Sequence, residues 1–122
     1  MRKILIVEDD EIVQDLVNAT LGGDSRYDLL QASDGERGLE LAYEQKPTLI
    51  LLDIDLPKLN GLEVCRALRS DPNYASIYIL MLSALSQHED IKAGLEVGAD
   101  DYFVKPFSPL ALLRKIDQIF GN

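Results

Sequence analysis

The sequence lacks the residues on which several large protein classes depend. It contains a single cysteine, Cys65, no tryptophan and one histidine. One cysteine excludes an internal disulfide and a metal cluster built on thiolates, and it favours a reducing compartment. Cys65 lies among apolar residues at helical spacing, which is typical of a small residue buried in the core.

Basic residues and long apolar runs are also scarce. Lys and Arg number 12 against 21 Asp and Glu, so the formal net charge is −9 over 122 residues. This charge excludes electrostatic binding of nucleic acid or of an anionic membrane by the domain. The first apolar run, residues 4–7, is too short for a signal-peptide core, and no later run reaches transmembrane length. We therefore expect a cytoplasmic protein in which residues 1–122 form one domain.

Short apolar runs alternate with segments of helical periodicity along the whole chain. The first run is β-branched and continuous, as in a strand buried on both faces. The segments between the runs place apolar residues three and four positions apart, as in helices that bury one face. The pattern predicts an α/β fold, a doubly wound five-stranded parallel sheet with helices on both faces. The predicted strands are residues 4–7, 27–32, 49–52, 77–82 and 102–104.

Four short motifs predict where helices begin. Each places a residue with a side-chain oxygen at the N-cap, followed three positions later by Glu or immediately by Pro. The pairs are Ser33 with Glu36, Asn60 with Glu63, Ser86 with Glu89, and Ser108 with Pro109.

Polar residues follow directly after the predicted strands. Ligands of a parallel sheet bind at the carboxyl ends of its strands, so these positions are the candidate site. Converging carboxylates need a partner, and a few of them with room for water suit Mg²⁺. Asp53 would then be a carboxylate nucleophile for a phosphoryl group, with a lysine and a hydroxyl in reach of the same group. The residues concerned are Glu8, Asp9 and Asp10, Asp53 and Asp55, Ser83, and Lys105.

Each of these residues also has a plainer interpretation. Asp10 or Asp9 is equally well explained as the N-cap of the next helix. Lys105 alone would be an ordinary surface lysine, and Ser83 alone a turn residue. One such residue at each of several strand ends is the stronger signal, because chance does not predict it.

The chain resembles the receiver domain of bacterial two-component response regulators over essentially its whole length. The resemblance rests on residues 4–10, on residues 52–57 with Asn60-Gly61, on Ser83-Ala84, and on residues 98–107. It implies a flavodoxin-like (βα)₅ fold with strand order 2-1-3-4-5. It also implies a signalling module, not an enzyme in the usual sense, that catalyses its own phosphotransfer and slowly loses the phosphoryl group.

The resemblance assigns a role to each site residue. Asp53 would accept a phosphoryl group from a sensor histidine kinase or a phosphotransfer protein. Mg²⁺ would be held by Glu8, Asp9, Asp53 and the main-chain carbonyl of Asp55. The acidic run is three residues long, so Asp9–Asp10 is a second possible pair; we choose Glu8–Asp9 because the family's pair directly follows the strand. Ser83, where the family often has Thr, and Lys105 would contact the phosphoryl group. The Lys105–Pro106 peptide bond is the candidate for a cis bond.

Output is expected from the last two helices and the last strand, about residues 86–120. Tyr102 occupies the position of the family's switch aromatic and would act with Ser83; the alternative is an aromatic that only packs on an edge strand. The partner would be an output protein or a further domain. A homodimer is possible, because Asp100, Asp101 and Lys115 fit the charges of the dimer-forming members, although Ile91 and Ala111 do not.

Two other function classes compete with the receiver. A Mg²⁺-dependent aspartyl phosphatase of the haloacid-dehalogenase type also has a D-x-D motif after an apolar run, here Asp53 to Asp55. That motif normally opens a larger domain and continues with a residue other than Leu56. A flavodoxin-like binding module is disfavoured, because no phosphate loop rich in Ser, Thr and Gly follows the first strand.

Overall fold

Five strands and five helices alternate along the part of the chain that the structure describes, as the sequence predicts. The computed structural model describes residues 2–84 and 88–121. The longest helix in these ranges has 12 residues, and none of the described helices is long and apolar enough to cross a membrane. The elements are β1 (Arg2–Val7), α1 (Glu11–Leu21), β2 (Tyr27–Ala32), α2 (Gly35–Gln45), β3 (Leu49–Asp53), α3 (Gly61–Arg69), β4 (Tyr78–Ala84), α4 (His88–Glu96), β5 (Asp101–Lys105) and α5 (Pro109–Phe120).

The strands form one parallel sheet in the order β2-β1-β3-β4-β5, which confirms the predicted topology. Strand order reverses between β1 and β3, so the carboxyl ends of these two neighbours border the crevice where ligands bind in such sheets. Val7 pairs with Leu52 across this junction. The register therefore brings the residues that follow Val7 beside Asp53.

Alternation along the strands divides the core into two layers. Leu5, Ile50 and Ile79 point to the face covered by α2 and α3, and Gly94 of α4 contacts Met81 on the same side. The alternate residues point to the face covered by α1 and α5, whose buried residues include Val17 and Ile116. Strands buried on both faces explain the continuous apolar runs. The predicted burial of Cys65 is confirmed, and burial raises the pKa of its thiol to about 11.

Two of the four predicted helix starts are confirmed, and a third is wrong by one residue. Asn60 and Glu63 form a complete capping box, and Ser108 caps α5 with proline in its first turn. The prediction that Ser33 caps α2 is wrong by one residue: Asp34 accepts the main-chain N–H of Arg37 at 2.9 Å. A carboxylate at the helix start also benefits from the helix dipole. Ser86, the fourth predicted cap, lies outside the described residues.

Candidate functional site

Three carboxylates converge at the carboxyl ends of β1 and β3. Glu8, Asp9 and Asp53 each offer an oxygen atom that lies within 4.8 Å of the other two. Glu8 is 0% exposed and Asp53 is 4% exposed, whereas Asp9 is open to solvent. Burial of two like charges side by side is unfavourable without a cation. The cluster therefore requires positive charge at this edge of the sheet.

Lys105 supplies part of that charge from the far end of the chain. Its Nζ lies 2.7 Å from Glu8 Oε1 and 3.2 Å from Asp53 Oδ1. The position follows from the sheet, because Lys105 ends β5 and pairs in register with Ala84 at the end of β4. The Lys105–Pro106 peptide bond, the candidate for a cis bond, is cis. One ammonium thus faces two buried carboxylates.

The electrostatics of the cluster show in two pKa values. The pKa of Glu8 is raised to about 7: burial is the largest cause, the hydrogen bond from Lys105 opposes it, and the neighbouring Asp53 adds to it. Burial by itself would lower the pKa of Lys105, but the hydrogen bond to Glu8 and the charge of Asp53 outweigh it, so the Lys105 pKa is raised. Lys105 therefore stays an ammonium at neutral pH, and Glu8 releases its proton less readily than an ordinary carboxylic acid.

The three consecutive acids after β1 have different roles. Asp10 caps α1, and its Oδ1 accepts the main-chain N–H of Ile12 at 2.9 Å. The interpretation of Asp10 as a helix cap is thus confirmed. The carboxylates that meet Asp53 belong to Glu8 and Asp9 instead.

Ser83 and Asp55 lie near the carboxyl ends of the neighbouring strands β4 and β3. Ser83, near the end of β4, is 1% exposed and donates its hydroxyl to the carbonyl of Ala84 at 3.2 Å. Asp55 lies two residues beyond Asp53 at an exposed position, just past the end of β3.

A glycine allows the backbone to close tightly behind Asp53. A Cβ atom on Gly61 would lie 2.3 Å from the carbonyl oxygen of Asp53, which no side chain tolerates. The Gly61 N–H donates to the carbonyl of Ile54 at 2.9 Å. The start of α3 therefore packs directly against the end of β3 and fixes its course.

Sequence reasoning missed Gln14, which lies on α1 beside the acidic cluster. Its side-chain amide donates to the main-chain carbonyl of Glu8 and, at 3.3 Å, to Ser33 Oγ. No local signal could have revealed this, because the partners lie at the ends of two different strands and a lone polar residue on a helix has many explanations.

The predicted output surface carries exposed groups and in-chain ion pairs. Tyr102 on β5 is 39% exposed, so its ring faces outward in this structure. Two of the charges that fit a homodimer are paired with each other, Lys115 with Asp101. The third, Asp100, pairs with Arg69 at 2.6 Å.

Comparison with known proteins agrees with this geometry. The family model for the response regulator receiver domain matches residues 4–117. The DNA-binding dual master transcriptional regulator RpaA of Synechocystis is 45% identical over 98% of this chain and 52% of its own length. The chain spans about half the length of the curated relatives it matches.

Solved structures show the same likeness across the whole chain. A putative response regulator from Chloroflexus aurantiacus has a TM-score of 0.90 at 33% identity, covering 99% of this chain and 98% of its own. The receiver domain of sensor histidine kinase PA1611 from Pseudomonas aeruginosa, which holds a magnesium ion in its active site cleft, has a TM-score of 0.87 at 30% identity, covering 99% and 98%. These similarities do not support the haloacid-dehalogenase alternative. The chain belongs to the response regulator receiver domain family, a family of signalling modules.

Proposed function

We propose that Asp53 accepts a phosphoryl group from a sensor histidine kinase or a phosphotransfer protein in a Mg²⁺-dependent reaction. The observation that carries the proposal is the convergence of Glu8, Asp9 and Asp53 within 4.8 Å, with Lys105 in contact with two of them. An ordinary solvated acidic surface would not bury two carboxylates around one ammonium.

The donor set fits a hard divalent cation. All three side chains offer carboxylate oxygens, which Mg²⁺ prefers, and the exposure of Asp9 leaves one side of the cluster open to water and a phosphoryl group. We infer that Glu8, Asp9, Asp53 and the main-chain carbonyl of Asp55 hold the ion. When bound, the ion neutralises oxygens of the transferring phosphoryl group. The magnesium ion of the related PA1611 receiver supports this assignment.

Three residues of the chain, Asp53, Lys105 and Ser83, then take part directly in the phosphoryl transfer. One carboxylate oxygen of Asp53 forms a bond to phosphorus while the bond from phosphorus to the donor's imidazole nitrogen breaks, and the electron pair returns to that nitrogen. The Lys105 ammonium pairs with a phosphoryl oxygen, and the Ser83 hydroxyl turns from the Ala84 carbonyl to donate to another. Slow hydrolysis of the resulting acyl phosphate ends the signal.

The donor has an apolar groove beside the site on which to dock. A cavity of about 440 Å³ lies between α1 and the ends of β4 and β5. Ile12 at its rim is 79% exposed, a degree of exposure typical of a contact surface for a large apolar residue. The cavity is lined by Asp10, Ile12, Val13, Leu16, Ala84, Lys105, Pro106 and Phe107. A protein that docks here brings its phosphorylated side chain to Asp53.

Output is proposed to follow from a two-state surface formed by α4, β5 and α5. Movement of Ser83 towards the phosphoryl group vacates space, and the exposed ring of Tyr102 turns inward to fill it. The changed surface acts on an output protein, a further domain or a second copy of the chain. RpaA is a DNA-binding regulator; here the net charge of −9 argues that any contact with DNA is made by another domain. We also propose a cytoplasmic location.

The experiment is phosphorylation by acetyl phosphate, followed by the shift of the protein on a phosphate-affinity gel. We expect one phosphoryl group per chain in Mg²⁺, none in EDTA, and none in Asp53→Asn. Asp10→Asn and Asp55→Asn serve as matched controls and retain labelling, because Asp10 caps a helix and Asp55 contributes its main chain. Labelling that persists in Asp53→Asn, or that proceeds equally well in EDTA, contradicts the proposal.

A further inference from the structure

Gln14 reaches from the second turn of α1 across the carboxyl ends of two strands. Its Nε2 donates to the main-chain carbonyl of Glu8 at the end of β1 and to Ser33 Oγ, 3.3 Å away, just beyond β2. A carbonyl oxygen can only accept, so the amide nitrogen and not the amide oxygen of Gln14 must face β1. The two hydrogens of the Gln14 amide therefore each have an acceptor, the Glu8 carbonyl and Ser33 Oγ.

The main chain of Gln14 makes a second contact with the same segment. Its N–H donates to the carbonyl of Asp10 at 3.0 Å, the first hydrogen bond of α1. Gln14 thus holds the carbonyl groups on both sides of Asp9, that of Glu8 with its side chain and that of Asp10 with its main chain. The N–H groups of the same two residues are hydrogen-bonded as well. That of Glu8 donates to the Ala32 carbonyl at 3.0 Å, and that of Asp10 donates to Glu8 Oε2 at 3.3 Å.

This restraint matters most for Asp9. Glu8 and Asp53 are buried, and contacts with Lys105 direct their carboxylates, whereas Asp9 is exposed. The backbone fixes the Cα–Cβ bond from which the Asp9 carboxylate extends, and the Glu8–Asp9 peptide is a rigid plane. A rotation of that plane would swing the Asp9 carboxylate away from the other two.

We propose that Gln14 is a positioning residue that fixes the Glu8–Asp9 peptide and so sets the affinity of the acidic cluster for a divalent cation. This inference rests on the proposed function. Groups that orient metal ligands without touching the metal typically change metal affinity by 10–100-fold. Because Gln14 acts on one of several ligands, we expect about a tenfold effect, the lower end of that range.

The test is titration of the chain with magnesium chloride by isothermal titration calorimetry, with amide hydrogen exchange as a second readout. Gln14→Leu keeps the size of the side chain and removes both donors. Gln14→Asn keeps the amide but is one methylene too short to reach Glu8, so it replaces the leucine variant if that variant does not fold. Gln14→Glu removes the donors and adds a negative charge. Gln118→Leu, an exposed position on α5, is the matched control.

Positioning and electrostatics predict opposite results for Gln14→Glu. An added negative charge alone would tighten Mg²⁺ binding, whereas loss of the Glu8 contact weakens it. We expect Mg²⁺ to bind about tenfold more weakly to Gln14→Leu and Gln14→Asn, more than about twofold more weakly to Gln14→Glu because its added charge offsets part of the loss, and unchanged to Gln118→Leu. Without metal, the amides of Asp9 and Asp10 should exchange faster in the Gln14 variants than in the parent.

Three results would overturn the inference. They are binding to the Gln14 variants within twofold of the parent, tighter binding to Gln14→Glu, and unchanged exchange at Asp9 and Asp10. If the parent chain does not bind Mg²⁺, the proposed function itself is refuted, which is a separate outcome from refutation of the role of Gln14.

Discussion

Replacement of Glu8 by glutamine should stabilise the metal-free protein at alkaline pH. Glutamine mimics the protonated carboxyl group, which is the form that burial favours, and it ends the repulsion with Asp53. The pKa of Glu8 is about 7 in the folded protein, against an ordinary value of 4.5. The folded state therefore keeps this proton between the two values, while the unfolded chain has released it.

The sign and size of the effect follow from that difference. Stability from Glu8 is fully present below pH 4.5 and is lost as pH rises through 7. At about 1.4 kcal/mol for each pKa unit, the full loss amounts to roughly 3 kcal/mol, most of it between pH 5 and pH 8. The value is an upper bound, because Lys105 and Asp53 respond to the charge on Glu8.

The assay is urea denaturation in EDTA at pH 5 and pH 8, followed by circular dichroism. The free energy of unfolding of Glu8→Gln should fall less between the two pH values than that of the parent, by up to about 3 kcal/mol. Glu11→Gln, an exposed position in the first turn of α1, should behave like the parent. Mg²⁺ should stabilise the parent more than Glu8→Gln, because the cation favours the ionised carboxylate. The reasoning is refuted if Glu8→Gln and the parent show the same pH dependence, or if Glu8→Gln is the less stable protein at pH 8 in EDTA.

Three further predictions concern the metal and the packing around the site. Mg²⁺ at ten times its Kd should stabilise the protein by about 1.4 kcal/mol, seen as a higher Tm than in EDTA; an unchanged Tm at millimolar Mg²⁺ would count against a cation site. Arg69→Ala should lower the free energy of unfolding in urea by about 2–4 kcal/mol, because Arg69 donates to three carbonyls and to a carboxylate. Exposed Arg66→Ala should change it by less than about 0.5 kcal/mol, and equal losses would contradict this account. Gly61→Ala should lower the free energy of unfolding by about 1–3 kcal/mol and weaken Mg²⁺ binding, because its Cβ would lie 2.3 Å from the Asp53 carbonyl oxygen. Gly23→Ala, with open space around it, should change neither quantity when both are measured by urea and Mg²⁺ titration.

The fold could be predicted because its signals are local. A strand buried on both faces reads as a continuous apolar run, and residues 4–7 and 49–52 belong to such strands. The meeting of Glu8 and Lys105, 97 positions apart, could be anticipated because parallel strands end at one edge of the sheet. The sheet topology thus brings residues that are recognised from local patterns together in one site.

The features that sequence reasoning missed depend on tertiary contacts. Ser33 and Asp34 are both good caps, and only the structure shows that Asp34 takes the position while Ser33 accepts a hydrogen bond from Gln14. Arg69 reads as an ordinary helical arginine, yet its guanidinium reaches the carbonyl of Gly98, 29 positions away. Such tertiary contacts have no periodicity along the chain, so no sequence pattern predicts them.

The most direct test of the central claim is to locate the phosphoryl group by mass spectrometry. The chain would be phosphorylated with acetyl phosphate in Mg²⁺, reduced with borohydride to trap an acyl phosphate as a stable residue, and digested. The account predicts a single modified position, Asp53, and no modification when EDTA replaces Mg²⁺. Modification at Glu8, Asp9 or a hydroxyl residue instead, or an unmodified Asp53 in fully folded protein, would contradict it.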